Sequence, residues 1–260
     1  MNKRYRYEDL LSIIEQLRGE NGCPWDKVQT HESLKTNIVE ESYELVEAIN
    51  NYDLPNIKEE LGDILLQVIM HAQIAKESHT FDIEDIIDAL CNKLIFRHPH
   101  VFKEKKEDHS VDQVLKTWEE LKREEKNETT ILEGIERVPK ALPALIRSYK
   151  VMKKARALEN FERKEIRSIE EIKKLSDKLE KALNNREEMC LEEEIGNLLL
   201  EVVNLSCFLK INPEFALTKS LEKFINRFRY IENWAFAKGK KVDDLALQEI
   251  LILWEESSIL

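Results

Sequence analysis

One helix-length apolar segment is written twice in this chain. Glu60 to His71, ELGDILLQVIMH, lies over Glu194 to Leu205, EIGNLLLEVVNL, without a gap, and self-similarity at such a long spacing marks a repeated supersecondary unit. The match continues downstream. Lys93 and Arg97 in KLIFR correspond to Lys223 and Arg227 in KFINR, and Trp118 in WEELK corresponds to Trp254 in WEESS. Two tandem copies of one unit account for this most simply, with residues 1–126 and 143–260 as the copies. Residues 127–142 are read as the linker, because the polar run REEKNETT from Arg123 leads into a segment punctuated by Pro139 and Pro143.

The units are expected to be all-α. Gly and Pro are 6 residues each in 260, 35% of residues are charged and 42% are hydrophobic, a composition that favours helices and suffices for buried cores. Apolar periodicity predicts helices near 5–19, 33–50, 55–77, 82–96 and 111–125, then near 143–157, 168–184, 189–210, 214–237 and 243–256. Pro24, Pro99 and Pro213 fall at helix boundaries, where a missing N–H costs little. The net charge of −11 provides no overall basic field for polymeric DNA or RNA. A phosphate-bearing ligand therefore requires metal ions and locally placed Lys or Arg. Cys23, Cys91, Cys190 and Cys207 form no CxxC pair and read as reduced packing residues. Neither a signal peptide nor a membrane span is evident, which points to a cytoplasmic protein that does not enter a membrane.

Acidic residues interrupt the two most regular apolar patterns. Ile38, Val39, Leu45, Val46 and Ile49 form one stripe at about 100° per residue, with Glu41 at its edge and Glu44 one turn on. In the next helix Leu61, Ile64, Leu65, Leu66, Val68, Ile69 and Met70 cover most of the circumference, predicting burial, yet Glu60, Asp63, Gln67 and His71 share one narrow sector. Gly62, repeated as Gly196, suggests a close backbone approach there. On one reading these acids belong to a solvated face and to a first helical turn favoured by the dipole. On the other, two carboxylate pairs on adjacent helices converge and are neutralised by a cation, since isolated buried charge is very costly. Converging carboxylates are hard oxygen ligands that suit Mg²⁺ or Mn²⁺. A di-iron bundle would use Glu-x-x-His, but the residues three before the six histidines are Val28, Val68, Lys76, Ile95, Arg97 and Lys106.

EESYE at 40–44 followed by ELGD at 60–63 resembles the EExxE…ExxD signature of MazG and the all-alpha nucleoside triphosphate pyrophosphohydrolases. GCPWDKVQTHESL at 22–34 and RHPHVF at 97–102 also resemble the N-terminal repeat of two-repeat MazG proteins, so the resemblance spans nearly the whole chain. It implies hydrolysis of NTPs or dNTPs to the monophosphate and pyrophosphate, with Glu41, Glu44, Glu60 and Asp63 as magnesium ligands and Glu40 and Glu59 as nearby acids. It also implies phosphate contacts from Lys93, Arg97 and Lys122 and places Trp118 near the nucleotide. Trp25 is read as an anchor of the first loop, His98 and His100 as parts of a turn, and Met70 and Phe96 as core. A homodimer is expected, because one unit has too few long helices to enclose a site.

The second copy departs from this pattern. Asn197 stands where Asp63 does, Ser258 where Lys122 does, and the best candidate for the preceding acidic pair, Glu170-Glu171-Ile172-Lys173-Lys174, ends in lysine. Asn160 to Arg163 carries Arg where the resemblance leads one to expect Trp. The N-terminal unit is therefore expected to be active and the C-terminal one degenerate. The rival expectation is a nucleotide-sensing or protein-binding module in which neither copy is active.

Overall fold

The structure, a computed structural model, describes residues 4–102, 110–156, 165–185 and 188–257. Among them every regular element is helical: α1 (Tyr7–Arg18), α2 (Pro24–Lys27), α3 (Lys35–Asn50), α4 (Leu54–Glu77), α5 (Ile83–Arg97), α6 (Pro99–Phe102), α7 (Val111–Glu125), α8 (Ile131–Glu136), α9 (Ala144–Ala155), α10 (Glu165–Asn185), α11 (Glu188–Phe208), α12 (Pro213–Ala237) and α13 (Leu247–Glu256), with a 3₁₀ turn at Val242–Asp244. The ten long helices are those that the periodicity predicts. The three short ones, α2, α6 and α8, are too brief to carry a period. Residues 127–142, read as linker, contain α8, whose Thr130 side chain accepts the Glu133 N–H at 3.2 Å while Glu133 accepts the Thr130 N–H in return. Such a reciprocal cap satisfies two helix-end donors and lets a six-residue helix persist.

The chain divides into two compact units, residues 1–122 and 123–260. In the first, α3 and α4 form an antiparallel hairpin whose tight turn runs through Tyr52 (φ 55°), with the Asp53 N–H donating to Ala48 O at 3.0 Å. Asp53 then caps α4 by accepting from the Asn56 N–H. Its core joins Ile14, Leu34, Ile69 and Met70, with Leu10, Leu11, Leu17, Leu66 and Ile74 packed around them. Arg18 locks the first loop to this core. Its guanidinium donates to both carboxylate oxygens of Glu77 at 2.9 and 2.7 Å, and to the carbonyls of Asp26 and Gln29.

In the second unit α10 and α11 form the corresponding hairpin and α9 packs on α11, as α1 packs on α4. A core of Ile231, Ala235, Leu245 and Leu253 joins α12 to α13. Ser168, Leu175 and Ala182 are the buried stripe of α10. They stand at the same offset from Leu34, Glu41 and Ala48 as Glu194 does from Glu60, and Leu34 and Ala48 are likewise buried. The two hairpins thus share one register.

Several residues differ from their sequence expectation. Helix α4 is not buried all round: Leu61 is 52% exposed and Leu65 is exposed beside it. A Cβ built on Gly62 or Gly196 meets nothing within 4 Å, so no backbone approaches either glycine within its unit. Phe96 is exposed rather than core, whereas Met70 is core. Cys91 and Cys190 are exposed; of the four cysteines only Cys207 is buried, and burial raises its thiol pKa. Trp25 is 59% exposed, and Arg18, not the indole, anchors its loop.

Candidate functional site

The hairpin turn decides which side chains meet. Residues equally far from Tyr52 lie opposite one another across α3 and α4, which brings Glu41 against Asp63 and Glu44 towards Glu60. Glu41, Glu60 and Asp63 each present a carboxylate oxygen within 4.8 Å of the others. In an octahedral magnesium shell with bonds of about 2.0–2.1 Å, ligand oxygens are separated by about 3 to 4 Å. A small closure of these three groups therefore meets the requirement, and an all-oxygen donor set suits a hard divalent cation. Glu44 stands outside the three, and Glu40 and Glu59 are exposed neighbours.

Glu60 is 7% exposed, the least accessible of the acids. Its pKa is raised, first by desolvation and then by the charges of Glu44, Asp63, Glu41 and Glu59. That of Glu41 is raised by desolvation and by Asp63, Glu44 and Glu40. Every one of these influences disfavours the charged form, and no cation is among them. Four acids from two helices hold negative charge against mutual repulsion, which is the electrostatic condition for capturing a divalent ion.

Further along α4, Gln67 is buried with its Oε1 unpartnered, and His71 meets His31 at 2.7 Å between Nδ1 atoms with the rings stacked. Burial and the neighbouring His31 lower the His71 pKa. Neither contact is visible in a sequence pattern, since His31 lies in a loop of no fixed period. Trp25 is remote from the acids. Its loop is tied through Arg18 to Glu77, roughly 20 Å along α4 from Asp63 at 1.5 Å per residue.

The basic residues form a second group. Around Trp118 on α7, the Arg97 guanidinium lies 5.3 Å and the Lys122 ammonium 4.8 Å from the ring centre. Lys93 is exposed one turn before Arg97 on α5. These are cation–π distances, and they gather Arg97, Trp118 and Lys122, three of the four residues that the family resemblance singles out for phosphate and nucleotide, with Lys93 on the same helix as Arg97. His98, by contrast, turns its Nδ1 to Leu94 O at 2.7 Å and tilts against His100 in the turn.

The shared hairpin register settles the comparison with the second unit. The position of Glu41 is held by buried Leu175, that of Glu44 by Lys178 and that of Asp63 by Asn197. Glu170 and Glu171 are therefore not the equivalents; Glu171 pairs instead with Lys174 at 3.2 Å. Glu194 remains, with a buried Oε2 that has no hydrogen-bond partner. Among the described residues no second group of three carboxylates, histidines or cysteines comes together. Ser258 and Asn160 to Arg163 lie outside the described residues.

Known proteins match this chain along its length. The family model described as the MazG nucleotide pyrophosphohydrolase domain matches residues 29–102, which include α3, α4 and α5. A Thermotoga maritima protein named nucleoside triphosphate pyrophosphohydrolase/pyrophosphatase MazG is 40% identical over 251 residues, covering 96% of this chain and 95% of its own. An Escherichia coli nucleoside triphosphate pyrophosphohydrolase is 37% identical over 253 residues, with 95% of each chain covered. The Bacillus subtilis protein YabN is 43% identical over 97% of this chain, which spans 52% of that protein.

Proposed function

This chain belongs to the MazG family and, like the full-length relatives so named, hydrolyses nucleoside triphosphates; we propose that the reaction takes place in the N-terminal unit and depends on magnesium. The observation that carries this reading is the group Glu41, Glu60 and Asp63, three carboxylates within 4.8 Å whose charges are opposed by desolvation and by one another.

Glu41, Glu44, Glu60 and Asp63 are the residues that would hold the metal. Manganese, with the same preference for oxygen, is the expected substitute. A divalent cation held here would supply charge neutralisation for the triphosphate and would acidify water for attack on the α phosphorus. Glu40 and Glu59 remain outside as exposed acids that orient water or ligands. Lys93, Arg97 and Lys122 neutralise the phosphate chain, and the Trp118 ring offers an apolar surface beside it. Water adds to the α phosphorus and gives up a proton to a carboxylate of the cluster, the α–β phosphoanhydride breaks, and pyrophosphate leaves with the electron pair of that bond.

A second copy of the chain is the expected partner. Leu61 and Leu65 on α4 and Ile87, Leu90 and Leu94 on α5 are exposed within the first unit, and a row of large apolar residues of this kind marks an association surface. No helix among the described residues is long and apolar enough to cross a membrane, and a cytoplasmic location is the reading that fits a nucleoside triphosphate substrate. Separate detection of pyrophosphate and monophosphate from a nucleoside triphosphate panel, with magnesium and with chelator, tests the proposal. Orthophosphate as the first product, or full turnover in chelator, would sink it.

A further inference from the structure

Helix α3 is entered from a loop, and its own backbone holds that entry lightly. No side chain caps α3, and the hydrogen bonds across its start are long: the Lys35 N–H donates to Glu32 O at 3.4 Å and the Ile38 N–H to Leu34 O at 3.3 Å. Two tethers fasten the loop to the helices behind it. One is the Arg18 guanidinium, which donates to the Asp26 and Gln29 carbonyls. The other is His31, just before α3, whose Nδ1 lies 2.7 Å from Nδ1 of His71 on α4 with the rings parallel to within 5°.

These tethers answer differently to acid. A guanidinium keeps its charge throughout the range in which a protein stays folded. A neutral imidazole has one N–H and one bare nitrogen, whereas an imidazolium has two N–H groups. Two Nδ1 atoms at 2.7 Å therefore need one proton between them, so that one donates and the other accepts. The contact survives a single positive charge on the pair, because the donating ring takes its second proton at Nε2. It does not survive two, since both facing nitrogens then carry hydrogen and both rings are cations.

The surroundings do nothing to compensate a second charge. The elements packed on α4 bring Glu15 and Arg18 from α1, Glu32 and Lys35 from the entry to α3, and Asp82, Glu84 and Asp85 from the start of α5. Glu15 is paired with Lys76, Arg18 with Glu77 and Glu32 with Lys35, while Asp82 and Asp85 accept the backbone N–H groups that open α5. Burial and then the charge of His31 lower the His71 pKa. As pH falls the unfolded chain takes up its proton first, so the stability held in this contact is complete above about pH 6.5 and is lost as pH falls through the lowered value of His71.

We propose that His31 and His71 form an acid-sensitive latch, closed while one proton lies between them and open when both rings are cationic, which releases the entry of α3 while the Arg18 tether holds. The helix so released carries Glu41 and Glu44, and the latch thus ties the seating of that helix to pH through groups that are not themselves part of the acid cluster.

Hydrogen exchange of the full-length protein in EDTA, labelled for milliseconds to seconds at pH 7.5 and 5.0 and read by mass spectrometry, tests this in wild type, His31→Gln and His71→Gln. Rates are corrected for the intrinsic effect of pH. Protection over residues 30–38 should fall at least about 5-fold in wild type between the two pH values, as for loss of one hydrogen bond, while residues 22–29 change by less than about 2-fold. In each variant residues 30–38 should change by less than about 2-fold. Titration of Glu41 and Glu60 is common to all three proteins and produces no difference between them. Unchanged protection over 30–38 in wild type overturns the latch, as does the wild-type loss persisting in His31→Gln or a loss shared equally by residues 22–29. The His31 ring is exposed, so His31→Gln leaves the core intact and decides the outcome even if His71→Gln does not fold.

Discussion

Replacing Glu60 with glutamine keeps the shape of the side chain and removes one charge from the acid cluster, so its effect on stability should reverse sign with metal. In chelator the wild-type carboxylate has a pKa raised by desolvation and by Glu44, Asp63, Glu41 and Glu59. Below the unfolded value of about 4.3 both states are protonated and the group contributes nothing. As pH rises through the window up to the raised folded value, the unfolded chain releases its proton first and folding loses stability. Above that window the penalty is complete. Glu60→Gln lacks it, and in EDTA at pH 7 the variant should melt above wild type, while the two should converge as pH falls towards 4. With magnesium at a hundred times its dissociation constant the wild type gains about 2.7 kcal/mol, a rise of roughly 10 °C for a unit of this size. The variant should gain less than a third of that rise. Thermal melts at pH 4 to 8, with EDTA and with magnesium, read both effects. A variant that melts below wild type in EDTA, or that keeps the full magnesium-induced rise, would show that Glu60 is not under this electrostatic load and is not a ligand.

Four other outcomes are expected. Glu60→Gln in the full-length chain should lower pyrophosphate release at least about 100-fold, as for loss of a charged metal ligand, whereas Glu194→Gln keeps most of it; the opposite pair of rates would move the active unit. Arg18→Met removes the bidentate pair with Glu77 and two loop carbonyl bonds, and should cost about 2–3 kcal/mol in denaturant melts at pH 7 after allowing for the partial exposure of Glu77. The Arg18 hydrogen bond depresses the Glu77 pKa, so its stabilisation is present above about pH 4.3 and lost as pH falls through the lower folded value; Arg18→Met should flatten that acid limb, and an unchanged limb would count against the pairing. Leu90→Asp, on the exposed α5 row, should shift sedimentation towards the monomer, and an unaltered dimer would place the interface elsewhere. Glu41→Leu, which installs the residue of the second unit, should stabilise the protein in EDTA by about 1–2 kcal/mol through apolar burial while abolishing turnover, and a destabilised variant would contradict the shared hairpin register.

The long helices and the duplicated unit are legible in the sequence because apolar period, proline position and internal similarity all mark the same boundaries. The acid cluster is legible for a similar reason: Glu60 and Asp63 violate the apolar surround of α4, and Glu41 interrupts the α3 stripe. What escapes is whatever depends on pairing between distant segments. The contact of His31 with His71, the Arg18 lock on Glu77 and the exposure of Leu61 and Phe96 each require knowing which neighbour is present or missing. The register of the second hairpin is hidden for the same reason. A Glu-rich helix such as α10 offers several acidic pairs to the eye, and only the buried positions of Ser168, Leu175 and Ala182 identify the equivalent of Glu41.

That register also explains why the two halves of the site diverge separately. Leu34, Glu41 and Ala48 recur every seven residues along one face, and the outer two are buried. Packing alone would place an apolar residue at the middle position, as it does with Leu175 between Ser168 and Ala182. A carboxylate there opposes folding unless a cation offsets it, and it is retained where the chemistry uses it. In the second unit leucine holds that position and continues the apolar seam between the hairpin helices. Arg227 carries no comparable penalty. Its guanidinium lies 5.2 Å from the centre of the Trp254 ring, beside the α12–α13 core. Partly buried acids are costly to a resting fold and an arginine beside an aromatic ring is not, which is why the positions of Glu41, Glu44 and Asp63 differ between the units while the Arg–Trp contact is the same in both.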